Sequence, residues 1–187
     1  IHDLSDRRNM PFTVVSSADL VGGDAASTIL SRARSGTLLF DEVGDLDAMA
    51  QTRVVRMLDD LGDNVPRIMA TSRKDLASAI ENRDFREDLY FRLAGTTLTA
   101  PSLRDRTDDL PLLAEHFLAR SARDGGTQRA LSPQSLALLR TYSWPGNVRQ
   151  LENTIRQLSV TGSEPEIAAT EVEMALSGQP AADPLQT

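Results

Sequence analysis

Two adjacent carboxylates, Asp41 and Glu42, follow directly on Thr37–Phe40, four residues of the kind that fill a buried parallel strand, and lead into the turn glycine Gly44. In open α/β sheets ligands gather at the carboxyl ends of strands, so an acidic pair there can hold a magnesium ion through water and polarise an attacking water. A strand end that is acidic only because it is exposed has the same composition, and the pair by itself leaves both readings open. A second buried-type run, Arg67–Thr71, finishes in the small polar residues Thr71 and Ser72, which are expected to lie near the first strand's carboxylates. His2 and His116 have no second ligand at helical spacing and read as plain helix residues. The only lysine is Lys74, and it follows Thr-Ser-Arg rather than a glycine-rich loop. The sequence therefore contains no Gly-x-x-x-x-Gly-Lys phosphate loop.

The elements that must position these residues follow from pattern. Phe12–Ser16 carries Phe12, Val14 and Val15 and reads as a strand, running into Ser-Ser-Ala-Asp-Leu with cap character. Gly22, Gly23 and Asp24 form a break before a short helix through Ile29 and Leu30. After Gly44, the positions Leu46, Met49, Ala50, Val54, Met57 and Leu58 trace one face of a helix expected to lie on the sheet. A turn over 61–66 precedes the Arg67–Thr71 strand, residues 77–93 are helical in parts, and Gly95–Ala100 is expected as a fourth strand closed by Pro101. Strands and helices alternating through short connections imply an α/β fold with a parallel sheet. From Asp109 only helices are expected: Leu110–Arg120, Ser132–Tyr142 with Ser132 as cap and Pro133 in its first turn, and Asn147–Val160 with a seam of Val148, Leu151, Ile155 and Leu158. From about Gly162 the tail has linker composition, with one short helix near Val172–Leu176.

Composition narrows the function classes. A chain of 187 residues can bury on the order of 70% of its unfolded surface, enough for one domain and a small subdomain. It has no cysteine, which rules out a disulfide scaffold and a thiolate metal site and fits a reducing compartment. No apolar run reaches the roughly 20 residues of a membrane span, the first residues lack a signal-peptide pattern, and a cytoplasmic location without membrane contact is expected. A net charge of -7 argues against a DNA-binding surface within these residues.

Five segments then fall in a familiar order: Gly-Thr-Leu-Leu-Phe-Asp-Glu-Val-Gly-Asp-Leu from Gly36, Ala-Thr-Ser-Arg-Lys-Asp-Leu from Ala70, Phe-Arg-Glu-Asp-Leu-Tyr-Phe-Arg-Leu from Phe85, Pro-Ser-Leu-Arg-Asp-Arg-Thr-Asp-Asp-Leu-Pro-Leu-Leu from Pro101, and Ser-Trp-Pro-Gly-Asn-Val-Arg-Gln-Leu-Glu-Asn from Ser143. Between about Phe12 and Val160 the chain resembles the AAA+ central domain of bacterial enhancer-binding proteins of the NtrC type. The resemblance implies ATP and magnesium as cofactors, with Asp41 holding the metal through water and Glu42 orienting the attacking water. It implies Thr71 and Ser72 as the sensor of the γ-phosphate, Arg149 as a lid arginine touching the phosphates, and Arg86 and Arg92 as arginines offered to the nucleotide of a neighbouring subunit. Without it, Arg86 and Arg92 read as ion-pair partners of Asp84, Glu87 or Asp88, and Arg149 as a plain helix-start residue. It further implies an AAA+ parallel sheet over 1–108 whose first strand and phosphate loop these residues lack, a helical lid over 109–162, and a linker over 163–187 toward a DNA-binding domain.

The chain departs from the family's pattern in ways that bear on function. The Gly-Ala-Phe-Thr-Gly-Ala loop through which the family engages sigma-54 polymerase is missing from the interval 21–35, and a second, coupled hairpin is replaced by Asp-Asp-Leu-Gly-Asp-Asn-Val-Pro at 59–66. The asparagine that in many members restrains the catalytic glutamate is Ser16 here. The resemblance implies a homo-oligomeric module of a response-regulator activator of nitrogen genes that reaches DNA only through a further domain, and the two shortened intervals imply that it acts on RNA polymerase holoenzyme with another sigma factor. The rival readings are a competent sigma-54-remodelling ATPase and a structural oligomerisation module with a dead nucleotide site.

Overall fold

The computed structural model describes residues 1–22, 25–61, 65–125 and 127–178, so Gly23 and Asp24, the middle of the 61–66 turn and the tail after Gly178 fall outside it. The chain forms two compact units, Ile1–Leu98 and the residues from Thr99 onward.

The first unit is built on three parallel strands in the order β1-β2-β3: β1 (Phe12–Val15), β2 (Thr37–Phe40) and β3 (Arg67–Ala70). Helix α1 (Ala25–Ala33) makes the crossover between β1 and β2, and α2 (Ala48–Asp59) the one between β2 and β3. Two shorter helices follow, α3 (Leu76–Glu81) and α4 (Glu87–Leu93). Val15, Leu38 and Phe40 are buried with Ile29, Ala33, Val54, Met57 and Leu89 of the helices. The opposite rows of the sheet are more open: Phe12 and Val14 are 46% and 47% exposed.

Helix α2 starts where Asp47 accepts a hydrogen bond from the Ala50 N–H at 2.7 Å, an N-cap that satisfies one of the helix's unpaired donors. Its buried face differs from the expected stripe. Met49 is 66% exposed, whereas Gln51 and Val55 are buried beside Ala50, Val54 and Met57. Leu46 precedes the first helical residue, so the 46–49 spacing was not a helical one.

Gly95–Ala100 forms no strand and is exposed throughout. A strand needs a neighbour for its ladder, and the residues 95–100 lie alongside neither edge strand, β1 or β3, of the sheet. Among the described residues, the β-favouring Thr96, Thr97, Leu98 and Thr99 pair with no strand, so propensity alone does not make one.

The second unit is helical: α5 (Leu110–Arg123), α6 (Pro133–Thr141), α7 (Asn147–Thr161) and α8 (Ala169–Ser177), with a short parallel pair of β4 (Ala130–Leu131) and β5 (Glu166–Ile167). Ser132 caps α6 as expected, accepting from the Ser135 N–H at 3.0 Å. Trp144 is buried and donates from its indole N–H to the Leu139 carbonyl at 2.8 Å, with Tyr142 edge-on at 5.1 Å. Leu151, Ile155 and Leu158 of α7 meet Ile167, Val172 and Ala175 in one core. The segment 166–177, expected to belong to a linker with one short helix, is thus folded into the second unit, because Ile167, Val172 and Ala175 complete that core.

Candidate active site

The parallel register aligns Val15, Phe40 and Ala70 across the sheet, so the chain leaves β2 and β3 side by side at their carboxyl ends. Asp41 donates its N–H to the Val15 carbonyl at 2.9 Å, and Thr71 donates its N–H to that of Phe40 at 2.9 Å. These bonds carry the ladder one residue past the strands and fix both side chains. The Thr71 hydroxyl then donates to Asp41 Oδ1 at 2.7 Å and accepts from the Glu42 N–H at 2.9 Å. One threonine oxygen therefore orients both acidic residues.

Glu42 adopts φ 54° and ψ 54°, the left-handed region that a side chain bearing Cβ rarely occupies. Such a conformation costs of order 1–3 kcal/mol and persists where neighbours over-determine it. Here they are the Thr71 hydroxyl on its N–H, the Val43 N–H donating to the Thr71 carbonyl at 2.8 Å, and Arg73 on its carboxylate.

The strongest electrostatic feature of the site involves Arg73 and Lys74, neither of which was expected to act there. Arg73 donates from its backbone N–H to Glu42 Oε2 at 3.0 Å and from a terminal nitrogen to Asp45 Oδ2 at 3.1 Å, and its Nε lies 3.0 Å from Glu42 Oε1 in an ion pair. Lys74 Nζ sits 2.9 Å from Asp45 Oδ1 and donates to the Gly44 carbonyl at 3.0 Å. Hydrogen bonding from Lys74, reinforced by Arg73, holds the Asp45 carboxyl below its ordinary range, and Glu42 and Asp45 raise the Arg73 guanidinium above its own. Gly44 permits this closure: a Cβ there would lie 2.7 Å from Ser72 Oγ and 3.2 Å from Lys74 Cβ. The signal in the sequence was two cations directly after Thr71-Ser72, opposite three acids within five residues of the preceding strand end.

Asp41, Glu42, Thr71 and Ser72 are thus brought together. Ser72 Oγ, however, donates to the Lys74 carbonyl at 2.8 Å and accepts from the Lys74 N–H at 3.1 Å, bonding to its own loop. Arg86 and Arg92 pair elsewhere in this unit. Arg86 makes a two-pronged pair with Asp88 at 2.9 and 2.7 Å, and Arg92 pairs with Asp59 at 2.5 Å. Arg149 is exposed in the first turn of α7, in the second unit. Buried Gln51, also missed, donates from Nε2 to the Leu46 and Asp84 carbonyls and accepts from the Arg86 N–H at 2.8 Å, fixing the backbone from which Arg86 projects.

Among the described residues no group of three His, Cys, Asp or Glu is placed to hold a metal by itself. The Asp41 carboxylate, a hard oxygen donor with Oδ1 fixed by Thr71, suits magnesium, which keeps most of its water and takes only one or two protein carboxylates.

Comparison with known proteins bears on this geometry. Residues 21–99 match the sigma-54 interaction domain and residues 104–187 the AAA+ ATPase lid domain. The DNA-binding transcriptional regulator NtrC of Azospirillum brasilense is 34% identical over all of this chain and 45% of its own length. The transcriptional regulatory protein GlrR of Escherichia coli K12 is 37% identical over 98% of this chain and 48% of its own. Among solved structures, NtrX from Brucella abortus in complex with ATP superposes with a TM-score of 0.83 at 29% identity, covering 96% of this chain and 48% of that one. The same protein in complex with ADP gives a TM-score of 0.80 at 30% identity, covering 91% and 45%. The chain therefore spans about half the length of the relatives it matches.

Proposed function

Since the chain belongs to the sigma-54 interaction domain family of AAA+ ATPases and carries that family's lid, we propose that it is the nucleotide-binding module of an NtrC-type transcription activator. The observation that carries this reading is the hydrogen-bonded unit of Asp41, Thr71 and Glu42 at two adjacent strand ends. Magnesium bound there with ATP supplies positive charge against the phosphates and would be held through water by Asp41. Thr71 fixes the Asp41 carboxylate by its hydroxyl. Glu42 is the residue that would orient the attacking water and accept its proton. Thr71 and Ser72, at the end of β3 beside Asp41 and Glu42, would read the γ-phosphate. Arg86 and Arg92, released from Asp88 and Asp59, serve the nucleotide of a neighbouring copy, where an arginine supplied in trans is worth roughly 10³ to 10⁵ in rate. The module is accordingly a homo-oligomer that works on RNA polymerase holoenzyme within a nitrogen-responsive two-component regulator.

Its polymerase partner carries a sigma factor other than sigma-54. The interval between β1 and β2 supports this, since its described residues are spent on a 3-10 turn at Ser17–Leu20 and on α1, with no projecting hairpin among them. Magnesium-dependent ATP binding, measured by calorimetry on the protein, tests the nucleotide site: Asp41→Asn is expected to weaken it at least tenfold. Absence of any binding in the wild type would favour a structural oligomerisation module, a reading supported by the pairing of the only lysine with Asp45. Transcription with sigma-54 as the only sigma factor tests the partner, and strong ATP-dependent activation there would refute the loss of sigma-54 engagement.

A further inference from the structure

We infer that the second unit carries a docking groove for an extended peptide of a partner protein, which adds as a strand beside β4 and is read by one acidic and one basic side chain of α5. The site is independent of the nucleotide reading. A groove of about 580 Å³ runs between α5 and β4, within the roughly 300–1,000 Å³ of sites that hold ligands. Its floor is apolar, made by Leu118 and Ala122 of α5, Leu131 of β4 and Leu136 of α6. The occupant's chemistry follows first from the main chain. Gln128 to Leu131 line the groove in succession. Side chains of an extended segment alternate between its faces, so consecutive residues line a groove where the segment presents its edge. The other edge is taken: Ala130 donates its N–H to the Pro165 carbonyl at 2.9 Å and Ser132 to that of Ile167 at 3.2 Å, both toward β5. In a parallel ladder the residues between them turn their N–H and C=O the other way, and among the described residues those of Arg129 and Leu131 have no backbone partner. The Arg129 side chain is committed inward to Glu171, so main chain is what it offers the groove. An open edge beside an apolar floor is matched by another extended backbone whose alternate side chains enter the groove.

Charge supplies the second, separate argument. Glu115 and Arg123 both line the groove from α5 and both are exposed. Among the described residues neither has an ion-pair partner, and Arg123 Nε donates only to the Ala119 carbonyl of its own helix, at 3.3 Å. Their spacing along the helix puts them about 12 Å apart, a span that an extended peptide covers in about four residues. An even spacing sets the two answering side chains on one face of the peptide, with a third between them over Leu118 and Ala122. The groove therefore selects a segment with a base toward Glu115, an acid about four residues away toward Arg123, and a small apolar residue midway.

The probe is the peptide Thr-Lys-Val-Ala-Val-Glu-Thr, amidated and carrying a fluorophore at its N-terminus, titrated with the full chain and followed by anisotropy. Saturable binding is expected, weakened about tenfold in the double variant Glu115→Arg/Arg123→Glu and recovered there when the peptide's Lys and Glu are exchanged. Both substituted positions are exposed and the net charge is kept, so the variant folds as the wild type does. In the complex the amide hydrogens of Arg129 and Leu131 are expected to exchange with water at least about tenfold more slowly, as a new ladder on that edge requires. No saturable binding at millimolar protein, equal binding of both peptides by both proteins, or binding that leaves these two amides unprotected would overturn the proposal. Self-association of the chain that the double variant abolishes would overturn it as well and assign the groove to a second copy.

Discussion

Thr71 and Arg129 show how much a single side chain holds in this protein. Thr71→Val removes the donor to Asp41 and the acceptor for the Glu42 N–H while keeping the shape; it is expected to cost about 1–3 kcal/mol in urea unfolding, and Thr71→Ser to recover most of it. In the lid, the Arg129 side chain is fully buried and donates to the carbonyls of Leu158, Glu164 and Glu166 and to both oxygens of Glu171. Arg129→Met strands that carboxylate and those carbonyls, and a loss of about 3–5 kcal/mol is expected. Gly162 makes room for the guanidinium, since a Cβ there would lie 2.4 Å from one of its terminal nitrogens. Neither Arg129 nor Arg73 was legible in the sequence, because each acts on partners about 30 or more positions away that only the fold brings near. Asp41 and Glu42 were legible because their place at the end of an apolar run is itself a local pattern.

Among the elements, β1 to β3 and the longer helices were readable, whereas the two-residue pair of β4 and β5 and the unpaired run 95–100 were not. Thr37–Phe40 is buried between β1 and β3, and its run of apolar residues announces that position. Gly95–Ala100 carries equally good strand residues and stays unpaired, since strand formation is decided by the neighbour and not by propensity. Helix α2 was found by its period, but its face was misplaced by the turn residue Leu46, and buried Gln51 lay outside any apolar count. The Asp47 cap tests that helix directly: Asp47→Ala is expected to lower stability by about 1 kcal/mol, read from the urea midpoint, with Asp47→Ser nearly neutral.

At the scale of the molecule, exposure of 95–100 at the end of the first unit predicts where the chain is cut. Limited digestion with thermolysin is expected to cleave first beside Leu98, which is 76% exposed, and to release fragments near the 98/99 boundary. Acid sensitivity follows from carboxyls held below their ordinary values: Asp88 by Arg86, Asp45 by Lys74, and Glu171 by Arg129. Folded-state values lowered in this way contribute stability that is present above the unfolded value and lost as pH falls through the folded one. Thermal stability is therefore expected to hold down to about pH 4.5 and to decline progressively below it, as scanning calorimetry across pH 2–7 would record. The half-open sheet carries a colloidal consequence. With Phe12 and Val14 facing water, molecules are kept from sticking chiefly by mutual repulsion, which a net charge of -7 provides at neutral pH and which vanishes near pH 4.8. Solutions acidified toward that point should turn cloudy while the protein is still folded, and a Val14→Lys surface should keep them clear.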